Sequence, residues 1–391
     1  MTGAGLPKIH LTPKGWRWQR TGHPWVYRDD LAAPPTLPSG ELVAVLGPQD
    51  RFLGQAFYSA KSRIALRLAT TTEEALDQAW WEARLLKALD YRHQVVQDSE
   101  AYRLIHGEAD GFPGLVVDVY GRHLAVQALH PGMERLLPVV MDLLTRYLRP
   151  HSITLRHDAE VRRLEGLPLK VETVAGALPD SLEVQVGQVR LAVDVPGGQK
   201  TGLFLDQREN WAAAAPWARG EVLDVFAYQG GFGLHLARRA RHATLVESSA
   251  PALALAQENA RRNGLANLEL VRANAFDFLK QAVASGRRFD MVALDPPAFA
   301  KSRQERTAAM RGYQEINRRA LQLLKPGGVL VTCSCSYNLS EADFLEIIRA
   351  AATAAGRQAR LIERRGAARD HPGCLSLPES MYLKCFIMQV D

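Results

Sequence analysis

The stretch Val222-Leu-Asp-Val-Phe-Ala-Tyr-Gln-Gly-Gly-Phe-Gly233 decides the fold of the C-terminal half of the chain. An apolar run ends at Asp224 and gives way to a glycine-rich turn, which a helical pattern follows. Further apolar runs, separated by helical segments, lie at 244–247, 268–271, 291–294 and 329–333. Apolar strands that alternate with helices predict an α/β fold, in which helices cover both faces of a parallel sheet. The last runs, 360–363 and 381–390, favour an antiparallel edge to this sheet.

Polar side chains close three successive predicted strands. Asp224 ends the first strand, Glu247 ends the second, and Asn274-Ala275 follow the third. The carboxyl ends of such strands meet at one crevice, so we expect these residues to share a site. A carboxylate there can accept both hydroxyls of a ribose, and an amide with a backbone N–H can read an adenine edge. Because the phosphate-cradling G-x-x-x-x-G-K-[ST] loop is absent, S-adenosylmethionine fits this pattern better than ATP.

The next two strand ends carry groups suited to catalysis. The fourth predicted strand ends in Asp295, and the two prolines after it fix a rigid loop. The fifth ends in Thr-Cys333-Ser-Cys335. A thiolate that adds to carbon 6 of a cytosine makes carbon 5 nucleophilic toward a sulfonium methyl, and an acidic group at the N3 edge stabilises the developing charge. Residues two apart share one face of a strand, so periodicity does not choose between the two cysteines.

Composition excludes several classes of protein. The chain has 391 residues, of which 47% are hydrophobic and 23% charged, so it can bury real cores and is not globally disordered. No apolar run reaches the roughly 18 residues of a membrane span, and residues 1–10 do not resemble a secretory signal. The four cysteines form no C-x-x-C pair, so neither a metal site nor a disulfide framework is expected. These features predict a cytoplasmic protein that does not bind a membrane.

The first 70 residues are basic and rich in short strand patterns. They contain nine basic and four acidic side chains, and the whole chain has a net charge of +6. Aromatic residues lie among the cations, which suits a phosphate backbone with bases to stack on. The alternative is a solvated surface over an aromatic core. On the RNA-binding interpretation, the candidate contacts are Lys14, Arg17, Trp25, Lys61 and Arg63.

The patterns predict three domains. Residues 1–72 form a small β-rich domain, with strands near 42–46, 52–58 and 64–68. Residues 73–190 form a mixed α+β domain, with helices expected at 73–96 and 133–147. Residues 191–391 form the α/β domain described above.

The whole chain resembles the bacterial 23S ribosomal RNA cytosine carbon-5 methyltransferases of the RlmI type. That family has an N-terminal PUA domain, a central mixed domain and a C-terminal Rossmann-like class I methyltransferase domain. The motifs that carry the resemblance are Lys14-Gly15, His23-Pro-Trp-Val-Tyr27, Gly198-Gln-Lys-Thr-Gly-Leu-Phe-Leu-Asp-Gln-Arg-Glu-Asn210, Asp224-x-Phe-x-Tyr-x-Gly-Gly-Phe232, Asp295-Pro-Pro-Ala-Phe299 and Ser334-Cys335-Ser336.

The resemblance implies the cofactor, the nucleophile and the partners. The cofactor is S-adenosylmethionine, and the residues expected to contact it are Gln199, Thr201, Phe204, Asp206, Asp224, Phe226, Tyr228, Gly230, Glu247, Ser248, Asn274, Ala275 and Asp295. The family motif Ser-Cys-Ser favours Cys335 as nucleophile, whereas the Thr-Cys-Ser of the broader class would select Cys333. Position 297, a second cysteine in many RNA cytosine methyltransferases, is proline here. Phe299 and Lys301 are expected to face the RNA, which is 23S rRNA or a large-subunit assembly intermediate, and the protein is expected to form a homodimer.

Two other functions compete with cytosine carbon-5 transfer. An exocyclic-nitrogen methyltransferase acting on a purine of RNA needs no thiol, and Asp295-Pro-Pro would then polarise the amino group. A non-enzymatic assembly factor would bind RNA and keep a cofactor pocket without turnover. Nucleoside mass spectrometry separates the first from cytosine transfer, and calorimetry with RNA separates the second.

Overall fold

The computed structural model describes residues 5–299 and 305–391, which divide into two compact units. The first unit comprises Met1–Val184, Val193–Leu203 and Asp370–Ser380. The second comprises Gln185–Ala192, Phe204–Arg369 and Met381–Asp391. The β-rich and mixed regions predicted from the sequence therefore lie largely in one unit. Two segments of the predicted α/β domain, 193–203 and 370–380, also belong to that first unit.

The N-terminal part of the first unit is a five-stranded sheet with the order β1-β3-β4-β5-β2. Its elements are β1 (Lys8–His10), α1 (Pro13–Gln19), β2 (Trp25–Tyr27), β3 (Leu42–Leu46), β4 (Phe52–Tyr58) and β5 (Ile64–Thr70). The predicted strands are confirmed. Helix α1 begins where the Thr12 side chain accepts a hydrogen bond from the Gly15 amide. Val26, Val43 and Leu66 are fully buried in the core of this sheet.

The rest of the first unit contains a second five-stranded sheet with the order β10-β9-β8-β7-β6. Its elements are α2 (Gln78–Val95), β6 (Ala101–His106), β7 (Leu115–Tyr120), β8 (His123–Ala128), α3 (Pro131–Leu148), β9 (Ser152–His157), α4 (Val161–Leu164) and β10 (Lys170–Gly176). Both predicted helices are present. Helix α2 begins later than expected, because the Asp77 side chain caps it by accepting from the Trp80 amide.

The second unit contains a seven-stranded sheet. The short strands β11 (Leu182–Val186) and β12 (Val189–Val193) pair with each other where the chain passes from one unit to the next. The elements that follow are α5 (Arg208–Ala214), β13 (Glu221–Val225), α6 (Gly231–Ala237), β14 (His242–Glu247), α7 (Ala250–Arg262), β15 (Leu268–Arg272), α8 (Ala275–Ala284), β16 (Phe289–Leu294), α9 (Arg306–Leu323), β17 (Leu324–Ser334), α10 (Glu341–Ala355), β18 (Ala359–Arg365) and β19 (Lys384–Val390).

The order of this sheet is β15-β14-β13-β16-β17-β19-β18. Strands β13 to β17 run parallel, and β19 pairs antiparallel with both β17 and β18. The predicted α/β fold with an antiparallel edge is confirmed. The strand order reverses between β13 and β16, so the carboxyl ends of these two strands flank the crevice in which such sheets bind ligands.

Two negative findings apply to residues 5–299 and 305–391. No helix in those ranges has the length and apolar character that crossing a bilayer requires. The same residues contain no group of three or more His, Cys, Asp or Glu side chains placed to hold a metal ion.

Candidate active site

The loop after β13 has an unusual backbone. Phe226 and Tyr228 have positive φ angles of 68° and 48°, and Gly230 follows with 91°. The first two values place bulky residues in the left-handed region, which costs of the order of 1–3 kcal/mol each. The Phe226 and Ala227 amides both donate to the Val246 carbonyl, which fixes this conformation. Strained loops of this kind occur where a fold presents groups to a ligand.

The glycines beyond this loop serve helix packing. A Cβ atom on Gly231 would lie 2.5 Å from the Trp211 ring, and one on Gly233 would lie 2.5 Å from the Leu245 side chain. Only glycine lets α6 pack this closely against α5 and β14. These two glycines are therefore required by the protein's own packing, in addition to any approach of a ligand.

Three carboxylates from neighbouring strand ends interact in the crevice. Asp224 is buried, and its Oδ2 accepts a 2.7 Å hydrogen bond from the Gly233 amide. Burial raises the pKa of Asp224 to about 7, and the negative charges of Asp295 and Glu247 add to this rise. Since such repulsion needs proximity, these three acids from β13, β14 and β16 lie near one another. The crevice is therefore a place where a cation would be stabilised.

Glu247 is held rigidly at the end of β14. Its Oε2 accepts from the Tyr228 amide at 3.0 Å, and its Oε1 accepts from the Ser248 and Ser249 amides at 2.8 and 2.9 Å. The Ser248 hydroxyl donates to the same Oε1. These four hydrogen bonds fill most of the roughly four acceptor positions of a carboxylate, and only Oε2, which accepts from Tyr228 alone, has room for a hydroxyl donor. Ser248 itself is exposed.

Asn274 has a structural role that the sequence analysis did not consider. Its Oδ1 accepts from the Phe276 amide at 2.9 Å and from the Asp277 amide at 3.4 Å, so it caps α8. The neighbouring Ala275 is buried. This capping accounts for an asparagine at the position without any ligand. Contact of Asn274 and Ala275 with an adenine stays a prediction.

Asp295 is oriented by a chain of hydrogen bonds. Gln207 Nε2 donates to Asp295 Oδ1 at 2.8 Å, and Asn210 Nδ2 donates to Gln207 Oε1 at 2.6 Å. Arg365 Nε donates in turn to Asn210 Oδ1 at 2.9 Å. Gln207 is not among the residues predicted from the sequence to act in the site. Its only signal was its place within the 198–210 motif.

The structure separates the two candidate cysteines. Cys333 is fully buried opposite Cys385 of β19, and burial raises its pKa well above the ordinary value. Cys335 is half-buried and lies one residue beyond the end of β17, with its Sγ 3.9 Å from the Pro296 carbonyl oxygen. The Cys335 thiol thus lies beside the loop that begins at Asp295. This position favours Cys335 over Cys333 as a nucleophile.

The residues of the 198–210 motif divide between the two units. In the second unit, the Phe204 ring meets Tyr228 edge-on at 5.2 Å, and the buried Asp206 accepts from the Tyr382 hydroxyl at 2.6 Å. In the first unit, Thr201 is buried and its hydroxyl donates to Asp118 at 2.5 Å. Gln199, also in the first unit, is exposed. Cofactor contacts by these four residues stay predictions, and for Thr201 the hydrogen bond already explains the hydroxyl.

Phe299 is packed among other rings and does not stand free. Its centroid lies 4.7 Å from Tyr313, 5.9 Å from Phe276 and 6.3 Å from Phe226. These neighbouring rings cover much of the Phe299 ring, which we expected to stack on a base. Lys301, the other residue expected near the RNA at this point, lies outside the described residues.

The candidate RNA contacts of the first unit differ in exposure. Arg17, Lys61 and Arg63 are exposed. Lys14 is also exposed and lies 3.2 Å from an Asp30 carboxylate oxygen. Trp25 is only half-exposed: its indole N–H donates to Glu108 at 2.6 Å, and the Arg67 guanidinium lies 4.9 Å above its ring. The cations are available to a polyanion, whereas the indole N–H and one face of Trp25 are already engaged.

Comparison with family models and solved structures agrees with this architecture. A model of PUA-like domains matches residues 9–71, and a model of methyltransferase domains matches residues 218–370. A solved protein provisionally described as a methyltransferase, complexed with S-adenosylhomocysteine, superposes with a TM-score of 0.85 at 20% identity, over 98% of this chain and 100% of that one. A SAM-dependent methyltransferase from Agrobacterium tumefaciens gives a TM-score of 0.51 at 17% identity, over 75% and 90% of the two chains. These likenesses establish the fold.

Curated relatives match over the full length. Ribosomal RNA large subunit methyltransferase I of Klebsiella pneumoniae (strain 342) is 36% identical over 399 residues, which cover 100% of both chains. The protein of the same name from Shewanella amazonensis is 38% identical over 392 residues, 98% of this chain and 99% of the relative. Sequence identity at this level over the whole chain establishes homology. The chain therefore belongs to the ribosomal RNA large subunit methyltransferase I family.

Proposed function

We propose that this protein transfers a methyl group from S-adenosylmethionine to carbon 5 of a cytosine in 23S ribosomal RNA, through a covalent adduct with Cys335. The observation that carries the proposal is the position of the Cys335 thiol, 3.9 Å from the carbonyl oxygen of Pro296 in the loop that begins at Asp295. The printed names of the curated relatives support ribosomal RNA of the large subunit, free or in an assembly intermediate, as the substrate.

The crevice suits the proposed cofactor. S-adenosylmethionine carries a sulfonium and an ammonium group, and both charges are favourable near Asp224, Glu247 and Asp295. Glu247 Oε2, which accepts from Tyr228 alone, has room for one ribose hydroxyl. When bound, this cofactor supplies the electrophilic methyl group. S-adenosylmethionine has no phosphate group for the carboxylates of the crevice to repel.

The chain's own groups account for most of the reaction. The Cys335 thiolate adds to carbon 6 of the cytosine, and carbon 5 then attacks the methyl group. Asp295, held at Oδ1 by Gln207, gives a proton from its acid form to N3, where negative charge develops, and takes it back when the adduct breaks down. Loss of the carbon-5 proton to a base then breaks the bond from carbon 6 to sulfur and restores the thiolate.

Nucleoside mass spectrometry tests this function. The protein is incubated with a 23S rRNA transcript and S-adenosylmethionine carrying a deuterated methyl group, and the digested RNA is analysed. We expect deuterated 5-methylcytosine. Label in an exocyclic amino group of guanine or adenine would instead indicate the purine methyltransferase. RNA binding without any incorporated label would indicate a non-enzymatic assembly factor.

Cofactor affinity should depend on pH through Asp224. The pKa of Asp224 is about 7, so the ligand-free site holds a proton below pH 7. A cationic ligand favours the ionised carboxylate, so binding releases that proton and affinity rises with pH. We expect about a tenfold gain between pH 6 and pH 8, measured by calorimetry in two buffers with different ionisation enthalpies. The Asp224→Asn variant should lose the dependence, and a flat profile in the unmodified protein would contradict the assignment.

RNA affinity should depend on the exposed cations of the first unit. Replacing Arg17, Lys61 and Arg63 together by glutamine removes three charges from the candidate RNA surface. Each lost phosphate contact reduces the slope of log affinity against log salt concentration by about 0.7 to 0.9. We therefore expect the slope to fall by about 2 to 3 units in filter-binding titrations with the rRNA fragment.

The matched control for this triple variant replaces three other exposed arginines. Arg163, Arg261 and Arg349 each form a surface ion pair with a glutamate three residues away, at 3.1, 2.7 and 2.6 Å. Their replacement by glutamine changes the net charge equally. The salt slope of this control should stay near that of the unmodified protein. Equal losses in both variants would show that only the overall charge matters.

A further inference from the structure

Lys384 is a buried lysine whose ammonium group lies beneath the turn that follows Cys335. It begins β19 and pairs in register with Ser334, the last residue of β17. Its exposed fraction is 4%. The Nζ atom donates three hydrogen bonds to carbonyl oxygens, at 2.7 Å to Ser336, 2.9 Å to Leu339 and 2.7 Å to Tyr382. The first two carbonyls belong to the turn that begins directly after the cysteine.

The environment of this ammonium has little compensating charge. Within residues 5–299 and 305–391, Lys384 has no ion pair with a carboxylate, and its three hydrogen bonds go to neutral carbonyls. Burial of a charge without a partner is costly, so it lowers the pKa of Lys384 to about 8, while negative charge on Cys335 and on Glu341 opposes this lowering. At neutral pH the lysine is therefore mostly protonated. A Cys335 thiolate is one of the two anions that stabilise it.

We propose that Lys384 is the positioning residue of Cys335: it fixes the 336–339 turn and supplies the positive charge that favours the thiolate. The inference deepens the proposed function, because a thiolate is the species that adds to the cytosine ring. The three carbonyls explain a hydrogen-bond donor at this position, and the proposal adds a use for its charge, whose burial is costly.

Other titratable groups lie on the elements packed around Cys335 and Lys384. The Tyr313 hydroxyl of α9 lies 3.0 Å from Ser336 Oγ and interacts electrostatically with Cys335. Ionised carboxylates disfavour a thiolate, so Lys384 offsets them. The groups contributed by the packed elements are Asp295 before the Pro296 loop, Cys333 of β17, Tyr313 of α9, Glu341 of α10, and Cys385 beside Lys384 on β19.

The direct test is the pH dependence of Cys335 alkylation in the full-length protein. Iodoacetamide labelling of Cys335, followed by peptide mass spectrometry, gives the titration midpoint of the thiol. Lys384→Met should move the midpoint upward by about one pH unit, which makes labelling at neutral pH about tenfold slower. Lys384→Arg keeps the charge and should retain most of the labelling rate. An unchanged midpoint in a folded Lys384→Met protein would overturn the proposal.

Lys325→Met is the matched control. Lys325 lies near the start of β17, at the other end of the strand from Ser334, and pairs with Asp290 at 2.7 Å. Its replacement removes the same charge from the same sheet, and the Cys335 midpoint should not move. An equal shift in this control would show that the effect is not specific to Lys384 and would overturn the proposal.

A reciprocal measurement covers the case in which Lys384→Met does not fold. Coupled groups shift one another equally, so removal of the thiol must change the titration of the lysine. In protein labelled with ¹³C at lysine Cε, the Lys384 signal should titrate at lower pH in Cys335→Ala than in the unmodified protein. Identical Lys384 titrations in the two proteins would overturn the inference.

The activity of the variants separates this inference from the proposed function. If Lys384 acts through the thiolate, Lys384→Met should lower kcat about tenfold at pH 7, recover at pH 9 and leave the KM for RNA unchanged. A kcat that stays low at every pH would indicate a structural role only and would overturn the proposal. The alkylation and NMR results do not require RNA, so they report on Lys384 even if the product is not 5-methylcytosine.

Discussion

Replacement of Cys335 by alanine should abolish methyl transfer to RNA. Without a thiolate, carbon 5 of a cytosine has almost no nucleophilicity, so we expect a loss of at least about 10⁴-fold in kcat/KM. The measurement is incorporation of labelled methyl groups into a 23S rRNA fragment under single-turnover conditions. Cofactor affinity should stay within about twofold, because Cys335 follows β17 whereas the carboxylates Asp224 and Glu247 lie on β13 and β14.

Cys333→Ala is the control for this experiment. Cys333 is fully buried against β19, so its loss should cost some stability and leave the rate of transfer within a few-fold. The two variants together decide between the cysteines. An active Cys335→Ala protein, or a folded Cys333→Ala protein without activity, would contradict the assignment of the nucleophile.

Asp295→Asn should lower the rate of methyl transfer by about 10²- to 10³-fold, the typical cost of removing one group that stabilises developing charge. The asparagine keeps the Oδ1 that accepts from Gln207, so the loop should stay in place while the acidic proton needed at N3 is lost. The rate of the chemical step is measured in single-turnover reactions with saturating RNA and cofactor. Thermal unfolding of the variant shows whether the fold is unchanged.

Two further variants define what Asp295 does. Gln207→Ala leaves the acid but removes the hydrogen bond that orients it, and should cost about tenfold. Asp290→Asn changes a carboxylate at the amino end of the same strand, which pairs with Lys325 and accepts from the Glu221 amide. It should affect stability only. An Asp295→Asn protein that reacts within twofold of the unmodified rate would contradict the role of the carboxylate.

The strands and the carboxylates of the site were predictable because their signals are local. An apolar run followed by an acid, as at Asp224 and Asp295, places a side chain at the carboxyl end of a buried strand. The topology of an open α/β sheet then brings such ends together. The rise that Asp295 and Glu247 cause in the pKa of Asp224 agrees with this reasoning.

The groups that support these residues were not predictable from local patterns. Gln207 contacts Asp295 across 88 positions in the chain, and Lys384 contacts the carbonyl of Ser336 across 48. Gln207 is marked only by its place within the 198–210 motif, and nothing in the neighbouring sequence marks Lys384. The rule that residues two apart share one face of a strand does not apply to Cys333 and Cys335, because β17 ends at Ser334 and only Cys333 lies within the strand.

Several residues that were predicted to contact RNA or the cofactor have partners within the protein instead. Phe299 and Trp25 were predicted to contact RNA. Phe299 packs against Tyr313, and the Trp25 indole N–H donates to Glu108. Thr201 was chosen by resemblance, and its hydroxyl is buried against Asp118. The residue type shows what a side chain can bind. Only the fold shows whether another residue of the protein already uses that hydrogen-bonding or stacking capacity.

The position of β19 in the seven-stranded sheet has a consequence for synthesis. This strand is the last of the seven in chain order, yet it pairs between β17 and β18 and carries Lys384. While a ribosome is making the chain, β17 therefore keeps an open hydrogen-bonding edge until residues 384–390 have emerged. Nascent and prematurely terminated chains present that edge to chaperones or to each other, and the surroundings of Cys335 are completed only when β19 has been made.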